Sequence, residues 1–246
     1  MKKRLKILDI WVDPVDHEEA LERVRGFLAG KKPSCIFAVN PEKNFSVPKD
    51  PVLHDVFKHA DLLIPDGIGI ILAARLLYGE TLSRVTGVEF MKEICRLAER
   101  ESKSIFLYGA DEVVNQQAAI RLQREFPRLH IAGRSDGYVP ESQMPDLVKR
   151  INDSGAVILF LALGSPRQEK WFASYAPDLK HVRVCQGIGG TLDTIAGTVK
   201  RAPALWQNFY LEWFYRLLSD PKRIARQKVL PIFVFNVLLT IAKSSR

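Results

Sequence analysis

An α/β three-layer sandwich built on a mainly parallel sheet, extended by a helical C-terminal appendage, is what this sequence predicts. Residues 34–197 alternate short apolar runs with amphipathic stretches, the sequence form of repeated β-α units. Two of the runs, Ile105–Tyr108 and Val157–Leu163, lack the period-two alternation of a half-exposed strand, so helices are expected on both of their faces. After Gly197 the pattern changes: Pro203 interrupts the chain, and Trp206, Phe209, Tyr210, Trp213, Phe214 and Tyr215 crowd into ten residues. The division is therefore a Rossmann-like α/β unit over residues 1–198 and an appendage over 199–246.

Taken in order, the strands are expected at Cys35–Val39, Leu62–Ile64, Ser104–Tyr108, His130–Ala132, Ala156–Leu163 and Val182–Gln186. The first helix starts at Asp16, because Glu19 stands three residues later as a capping box requires. Ala20, Leu21, Val24, Phe27 and Leu28 supply its apolar face, and Gly30 stops it. Asp50-Pro51 and Asp111 read as two further helix starts. An apolar helix is expected from Ile68 to Leu77. The last apolar run, Val229 to Ala242, contains Pro231 and Asn236 and is too short to span a bilayer, so it is expected to lie on one.

Composition narrows the classes. With 47% apolar and 26% charged residues, the 246-residue chain has the balance of a folded globular protein. Its three cysteines are odd in number and widely spaced, which argues against a disulfide framework or a Cys-x-x-Cys metal site and for a reducing compartment. The basic start, Met1 to Lys6, leads into no apolar run or cleavage site, so no signal peptide is expected. The net charge of +8 is unevenly placed. From Lys200 to Arg246 nine Lys or Arg stand against Glu212 and Asp220, a surplus of seven. That tail suits a polyanion: nucleic acid, an anionic bilayer or a diphosphate.

In open α/β sheets ligands bind beyond the carboxyl ends of the strands. Four clusters stand there: Asn40-Pro41-Glu42, Pro65 to Gly69, Gly164 to Lys170, and Gly187 to Asp193. Gly187, Gly189 and Gly190 would let backbone approach a phosphate at a helix N-terminus, although a ligand-free strand-to-helix turn has the same signature. Asp66 sits at a strand exit beside an apolar helix. There it is either a general base, its proton affinity raised by partial desolvation, or the N-cap of that helix. Arg84 and Arg167 are candidates to stabilise a leaving diphosphate, against the alternative of solvated surface arginines. Arg216, Arg223 and Arg226 would share one face of a continuous helix, with Pro221 placing a break between the first and the other two. Asp-x-Asp, His-Glu-x-x-His, Walker A and Gly-x-Ser-x-Gly sequences are lacking, and His17, His54, His59, His130 and His181 show no ligand spacing. No metal and no cofactor are therefore called for.

Taken together and in order, these segments resemble the TagA/WecG/CpsF family of bacterial glycosyltransferases. The matching stretches are Asn-Pro-Glu at 40–42, Ile-Pro-Asp-Gly-Ile-Gly at 64–69, Arg-Val-Thr-Gly at 84–87, Leu-Tyr-Gly at 107–109 and Asp-Gly-Tyr at 136–138. Ala-Leu-Gly-Ser-Pro-Arg-Gln-Glu-Lys-Trp at 162–171, Gly-Ile-Gly-Gly-Thr-Leu-Asp at 187–193, Gly-Thr-Val-Lys-Arg-Ala-Pro at 197–203 and Leu-Glu-Trp-Phe-Tyr-Arg-Leu at 211–217 complete them. The resemblance implies inverting, metal-independent transfer of an N-acetylmannosamine, uronic acid or glucose-type sugar from a UDP donor. The acceptor would be a sugar on undecaprenyl diphosphate, at the inner face of the membrane. It further implies that Asp66 is the base, that Asn40 and Gln168 lie in the active site, and that Arg216, Arg223 and Arg226 hold the lipid diphosphate. Gly109 and Arg167 with the 187–190 turn would face the donor, with Asp193 orienting its nucleoside, and Arg84 would join the arginines on the acceptor. Teichoic-acid members often carry a threonine two residues before the asparagine matching Asn40; this chain has Ala38.

Two other classes compete. A dinucleotide oxidoreductase would use the Gly-x-Gly-Gly turn, but that turn follows the last strand instead of opening the first β-α-β unit. A nucleic-acid-binding module would use the basic, aromatic tail. Val229–Ala242 is more apolar than nucleic acid needs, so a membrane interface is the favoured partner, with contact between copies of the chain as another use of the tail aromatics.

Overall fold

Short-range signals start most of the elements. In the computed structural model, which describes residues 3–199, 202, 203, 206, 214, 215 and 228–244, a hairpin of β1 (Leu5–Ile7) and β2 (Ile10–Val12) comes first. Helix α1 (His17–Leu28) follows, with Asp16 and Glu19 closing the expected capping box. Then come β3 (Ser34–Val39), α2 (Lys43–Ser46), a 3-10 turn and α3 (Pro51–His59), whose cap is Asp50. Strand β4 (Leu62–Pro65) leads through Gly67 into α4 (Ile68–Tyr78). Thr86 caps α5 (Gly87–Arg100), and β5 (Ser104–Gly109) precedes α6 (Glu112–Glu125), capped by Asp111 as expected. The rest are β6 (His130–Ser135), α7 (Met144–Asp153), β7 (Ile158–Ala162), α8 (Arg167–Tyr175), β8 (Val184–Gly187), α9 (Thr191–Ala196) and α10 (Val229–Ser244).

Strands β3 to β8 form one parallel sheet in the order β4-β3-β8-β7-β5-β6. Side chains alternate across it. Ile36, Leu62, Ile64, Leu107, Phe160 and Val184 join α1, α5, α6 and α9 in one core layer. Phe37, Val39 and Leu63 point the other way, to the hairpin, α3, α4 and α10, and Tyr108, Leu161 and Cys185 join α7 and α8 on that same side. The three-layer sandwich is thus as expected.

Several boundaries differ. The run Ala156–Leu163 contributes only Ile158–Ala162 as strand, and just before it the Val157 carbonyl accepts the amides of Arg183 and Val184. Strand β6 continues to Ser135, beyond its apolar start, by pairing with β5 across a bulge. The hairpin went unforeseen, since two three-residue strands are too short for a periodic signal. Buried Asp13 anchors it: this carboxylate accepts from Arg4 at 2.8 Å and from the Leu63 amide at 2.7 Å, with Arg23 at 3.1 Å.

The final apolar run is a helix, and Pro231 falls in its first turn, where no intrahelical N–H bond is lost. Phe233 and Val237 of α10 are buried in the core layer shared with α4 and the hairpin. Among the described residues no helix is long and apolar enough to cross a membrane. Of the crowded aromatics, Trp206 meets Phe214 and Tyr215 in tilted arrangements at ring-centroid distances of 6.0 and 5.7 Å. Cys35, Cys95 and Cys185 are buried free thiols, and burial pushes Cys35 up to about 12.

Candidate active site

The parallel sheet brings all four post-strand clusters to one edge. Asp66 leaves β4 and Asn40 leaves β3, its immediate neighbour. The amides of Asp66 and Gly67 both donate to the Val39 carbonyl, at 3.2 and 3.3 Å, which fixes the two strand exits to each other. A Cβ on Gly67 would lie 3.1 Å from the Asn40 Cβ, a tight contact, and one on Gly69 would lie 2.7 Å from Pro41, closer than a Cβ can come, so glycine at these positions lets the two segments approach. The N-cap residue of α4 is Gly67. The capping position that competed for Asp66 is therefore filled by the glycine, and Asp66 stands half-buried at the mouth.

Arg84 joins this group. Its Nε donates to the Asp66 carbonyl at 2.9 Å, while the Val85 amide donates to Pro65 and the Arg84 carbonyl meets His17 Nε2 at 3.2 Å. His17 is held on its other nitrogen by Glu93 at 2.9 Å. A cation is thus fixed beside the strand exit that carries the carboxylate, through contacts with α1 and α5. Nothing local in the sequence announces this arrangement.

Strand β8 lies on the far side of β3 from β4, so the Gly187–Gly190 turn is two strand spacings from Asp66, about 10 Å. Gln168 governs that turn. It is buried, its Oε1 accepts the Gly189 amide at 3.0 Å, and a Cβ on Gly187 would meet its Nε2 at 2.6 Å and Phe37 at 2.7 Å. Gly187 is therefore required by the protein's own packing, and the Gly189 amide, expected to face a phosphate, is held by Gln168. Gly189 itself has φ +53. A Cβ at Gly190 would meet only Asp193 Oδ2, at 3.6 Å, so Asp193 borders the open side of the turn.

A third group forms where β5 connects outward to β6 while β7 connects the other way to β8. This is a switch point, where α/β sheets open a crevice. Gly109 has φ +126 with the Ala162 backbone against it, and Gly137 closes on Gly109 Cα, Ala110 and Leu163. Arg167 donates to the Gly137 carbonyl at 2.6 Å, which places its guanidinium here and not on the 187–190 turn. Asn115 secures the floor: from inside α6 its Nδ2 donates to the carbonyls of Gly109 at 2.8 Å and Ser135 at 3.0 Å.

The loop after β3 and the helix after β7 are joined by a buried ion pair. Lys43 Nζ lies 2.5 Å from Glu169 Oε1 and also donates to Ser165 Oγ, with the two charged residues 7% and 0% exposed. Lys43 also sits over the Phe57 ring at 5.1 Å. Removing one member of such a pair strands the other charge, at a cost of about 3–5 kcal/mol.

The structure thus gathers Asp66, Asn40 and Arg84 in one group, Gln168, Gly187, Gly189, Gly190 and Asp193 in a second, and Gly109 and Arg167 in a third. Arg216, Arg223 and Arg226 lie outside the described residues. Lys43 and Asn115 were not singled out from the sequence, and Ser165, Glu169 and Gly137 were noted only as members of their segments. The available signal was a buried-type spacing for Asn115 on an amphipathic helix. Among the described residues no group of three His, Cys, Asp or Glu is placed to hold a metal ion.

A family model described as Glycosyl transferase WecG/TagA/CpsF family matches residues 5–246. Among curated relatives, the N-acetylglucosaminyldiphosphoundecaprenol N-acetyl-beta-D-mannosaminyltransferase of Bacillus subtilis (strain 168) is 38% identical over 205 residues, 83% of this chain and 79% of the relative. The protein of the same name from Bacillus spizizenii (strain ATCC 23059 / NRRL B-14472 / W23) is 36% identical over 212 residues, 86% of this chain and 81% of the relative.

Proposed function

The chain belongs to the WecG/TagA/CpsF family of glycosyltransferases, and on that premise we propose that it moves an N-acetylmannosamine-type sugar from UDP onto a sugar carried by undecaprenyl diphosphate, in the synthesis of a cell-envelope polysaccharide. The relatives' names supply the sugar and the acceptor. The observation that carries the chemistry is the placement of Asp66: a carboxylate at a strand exit, next to Gly67 that packs on Asn40, with Arg84 bonded to its backbone carbonyl, and two strand spacings from the glycine turn.

In this reading Asp66 takes the proton of the acceptor hydroxyl as that oxygen attacks the anomeric carbon. The bond from that carbon to the UDP oxygen breaks on the opposite face, so the configuration inverts. Charge gathering on UDP is met without a metal by Arg167 from the Gly109–Gly137 crevice and by the open side of the turn at Gly190, with Asp193 beside the nucleoside. Asn40 and Gln168 orient the two partners. Arg84, together with Arg216, Arg223 and Arg226, receives the acceptor diphosphate.

Residues 199–246 are the membrane-facing part, with 1–198 the catalytic unit. Exposed apolar side chains support this: Leu72, Leu76 and Tyr78 on α4 and Ile232, Phe235, Leu238 and Leu239 on α10, the two helices meeting at a groove lined by Leu76, Tyr78 and Leu239 with Lys6, Asp9 and Lys243. Apolar side chains with cations alongside suit the inner, anionic surface of a bilayer.

Asp66→Asn tests the chemistry. Transfer to a polyprenyl-diphosphate acceptor is expected to fall by about 1,000-fold, the scale of a lost general base, while UDP affinity stays within about twofold. Turnover retained in that variant would remove Asp66 from the role.

A further inference from the structure

We propose that Lys43, Glu169 and Ser165 form a strap that sets the distance between the acceptor and donor halves of the cleft, acting as positioning residues that do not touch substrate. The inference deepens the transferase reading above and rests on it for its kinetic consequence.

Strands β3 and β7 both flank β8. The segment after β3 and the segment after β7 therefore meet over the carboxyl end of β8, above the Gly187–Gly190 turn. Lys43 comes from the first, Ser165 and Glu169 from the second, and the bonds they make join positions 122 and 126 residues apart. Each end of the strap is one step from a site side chain. On the acceptor side, Asn40 Oδ1 accepts the Lys43 amide at 3.3 Å, and Asn40 is packed against Gly67, next to Asp66. On the donor side, Glu169 is preceded by Gln168, whose Oε1 holds the Gly189 amide.

Stability alone is a poor account of this pair. An apolar pair of similar volume would fill the same space without desolvating two charges, and such replacements are often neutral or stabilising. Glu169 Oε2 is moreover buried with no hydrogen-bond partner among the described residues, an omission that a pair kept only for stability would be expected to repair. What an ammonium shared between a carboxylate and a hydroxyl adds is direction. It fixes the separation and angle of the two segments, which apolar contact does not. Transfer between two bound substrates is sensitive to that separation, because a misplacement of about 1 Å can cost about 100-fold in rate.

The test uses the full chain in anionic vesicles, with UDP-N-acetylmannosamine and a short-chain polyprenyl-diphosphate N-acetylglucosamine acceptor. Lys43→Met and Glu169→Gln are compared with the double variant Lys43→Met/Glu169→Leu, which strands no charge and keeps the idea testable where a single variant fails to fold. In the double variant kcat is expected to fall by about 100-fold with the donor KM within about twofold, and melting is expected to stay near that of the parent chain. Hydrogen exchange at the Gly189 amide, read without substrate, is expected to quicken by about tenfold. Unchanged exchange would overturn the strap whichever sugar the chain transfers. Quickened exchange with unchanged kcat would overturn its bearing on the reaction. An inactive parent chain with quickened exchange in the variant would count against the substrate assignment and leave the strap standing.

Discussion

Helix α5, on one face of the sheet, and helix α4, on the other, follow each other in the chain and both bury a core row, yet their outward rows differ in kind. Phe90, Met91, Ile94, Cys95, Leu97 and Ala98 face inward on α5, and Arg96 and Arg100 face solvent. Helix α4 buries Ile70, Ala73 and Ala74 but leaves Leu72 and Leu76 more than half exposed. Helix α10, packed against α4, repeats the pattern: Phe233 is buried and Phe235 is 60% exposed. Folding requires only the inward rows. The outward apolar rows of α4 and α10 have no such explanation, and α4 starts one residue beyond the strand exit that carries Asp66, so the apolar surface and the site share a structural element.

The comparison can be broken at its strongest point. If α10 belongs to the core, Phe233→Ala should destabilise the chain by about 3–5 kcal/mol in denaturant unfolding, the usual cost of emptying a buried phenylalanine site. A loss below about 1 kcal/mol would mean that α10 rests on the domain without stabilising it. Next in size is the outward row. Leu72→Ser/Leu76→Ser should lower partition onto anionic vesicles at least about tenfold while changing stability by little. If partition held and sedimentation instead showed a dimer dissociating, the row would be a contact between copies of the chain. The smallest effect sharpens the comparison from the other face. Asp16→Ala removes the side-chain half of the α1 capping box, the carboxylate that accepts the Glu19 amide at 2.8 Å, and should cost about 1 kcal/mol without altering vesicle binding.

Legibility in the sequence followed the range of the interaction. Asp16, Asp50 and Asp111 were readable as helix starts because each accepts amides within three residues of itself. The strand exits were readable for the same reason, and with them the positions of Asn40, Asp66, Gln168 and the 187–190 turn. Partnerships were not. Arg167 was expected to face a diphosphate, and no local feature pointed to the carbonyl it donates to, on Gly137, thirty positions earlier in the chain. The Gly189 amide, open in a local reading, is closed by a side chain twenty-one residues away.

The sequence by itself determined the α/β class, the start and kind of most elements, and the set of polar residues delivered to one edge of the sheet. These depend on periodicity and on capping contacts that span a few residues. Tertiary structure alone decided the strand order that sets Asp66 two spacings from the glycine turn, the meeting of Lys43 with Glu169, the support of Arg84 by His17, and the seating of α10 on α4. Each of these joins segments whose separation along the chain carries no local signal, and burial in a common core is what brings them together.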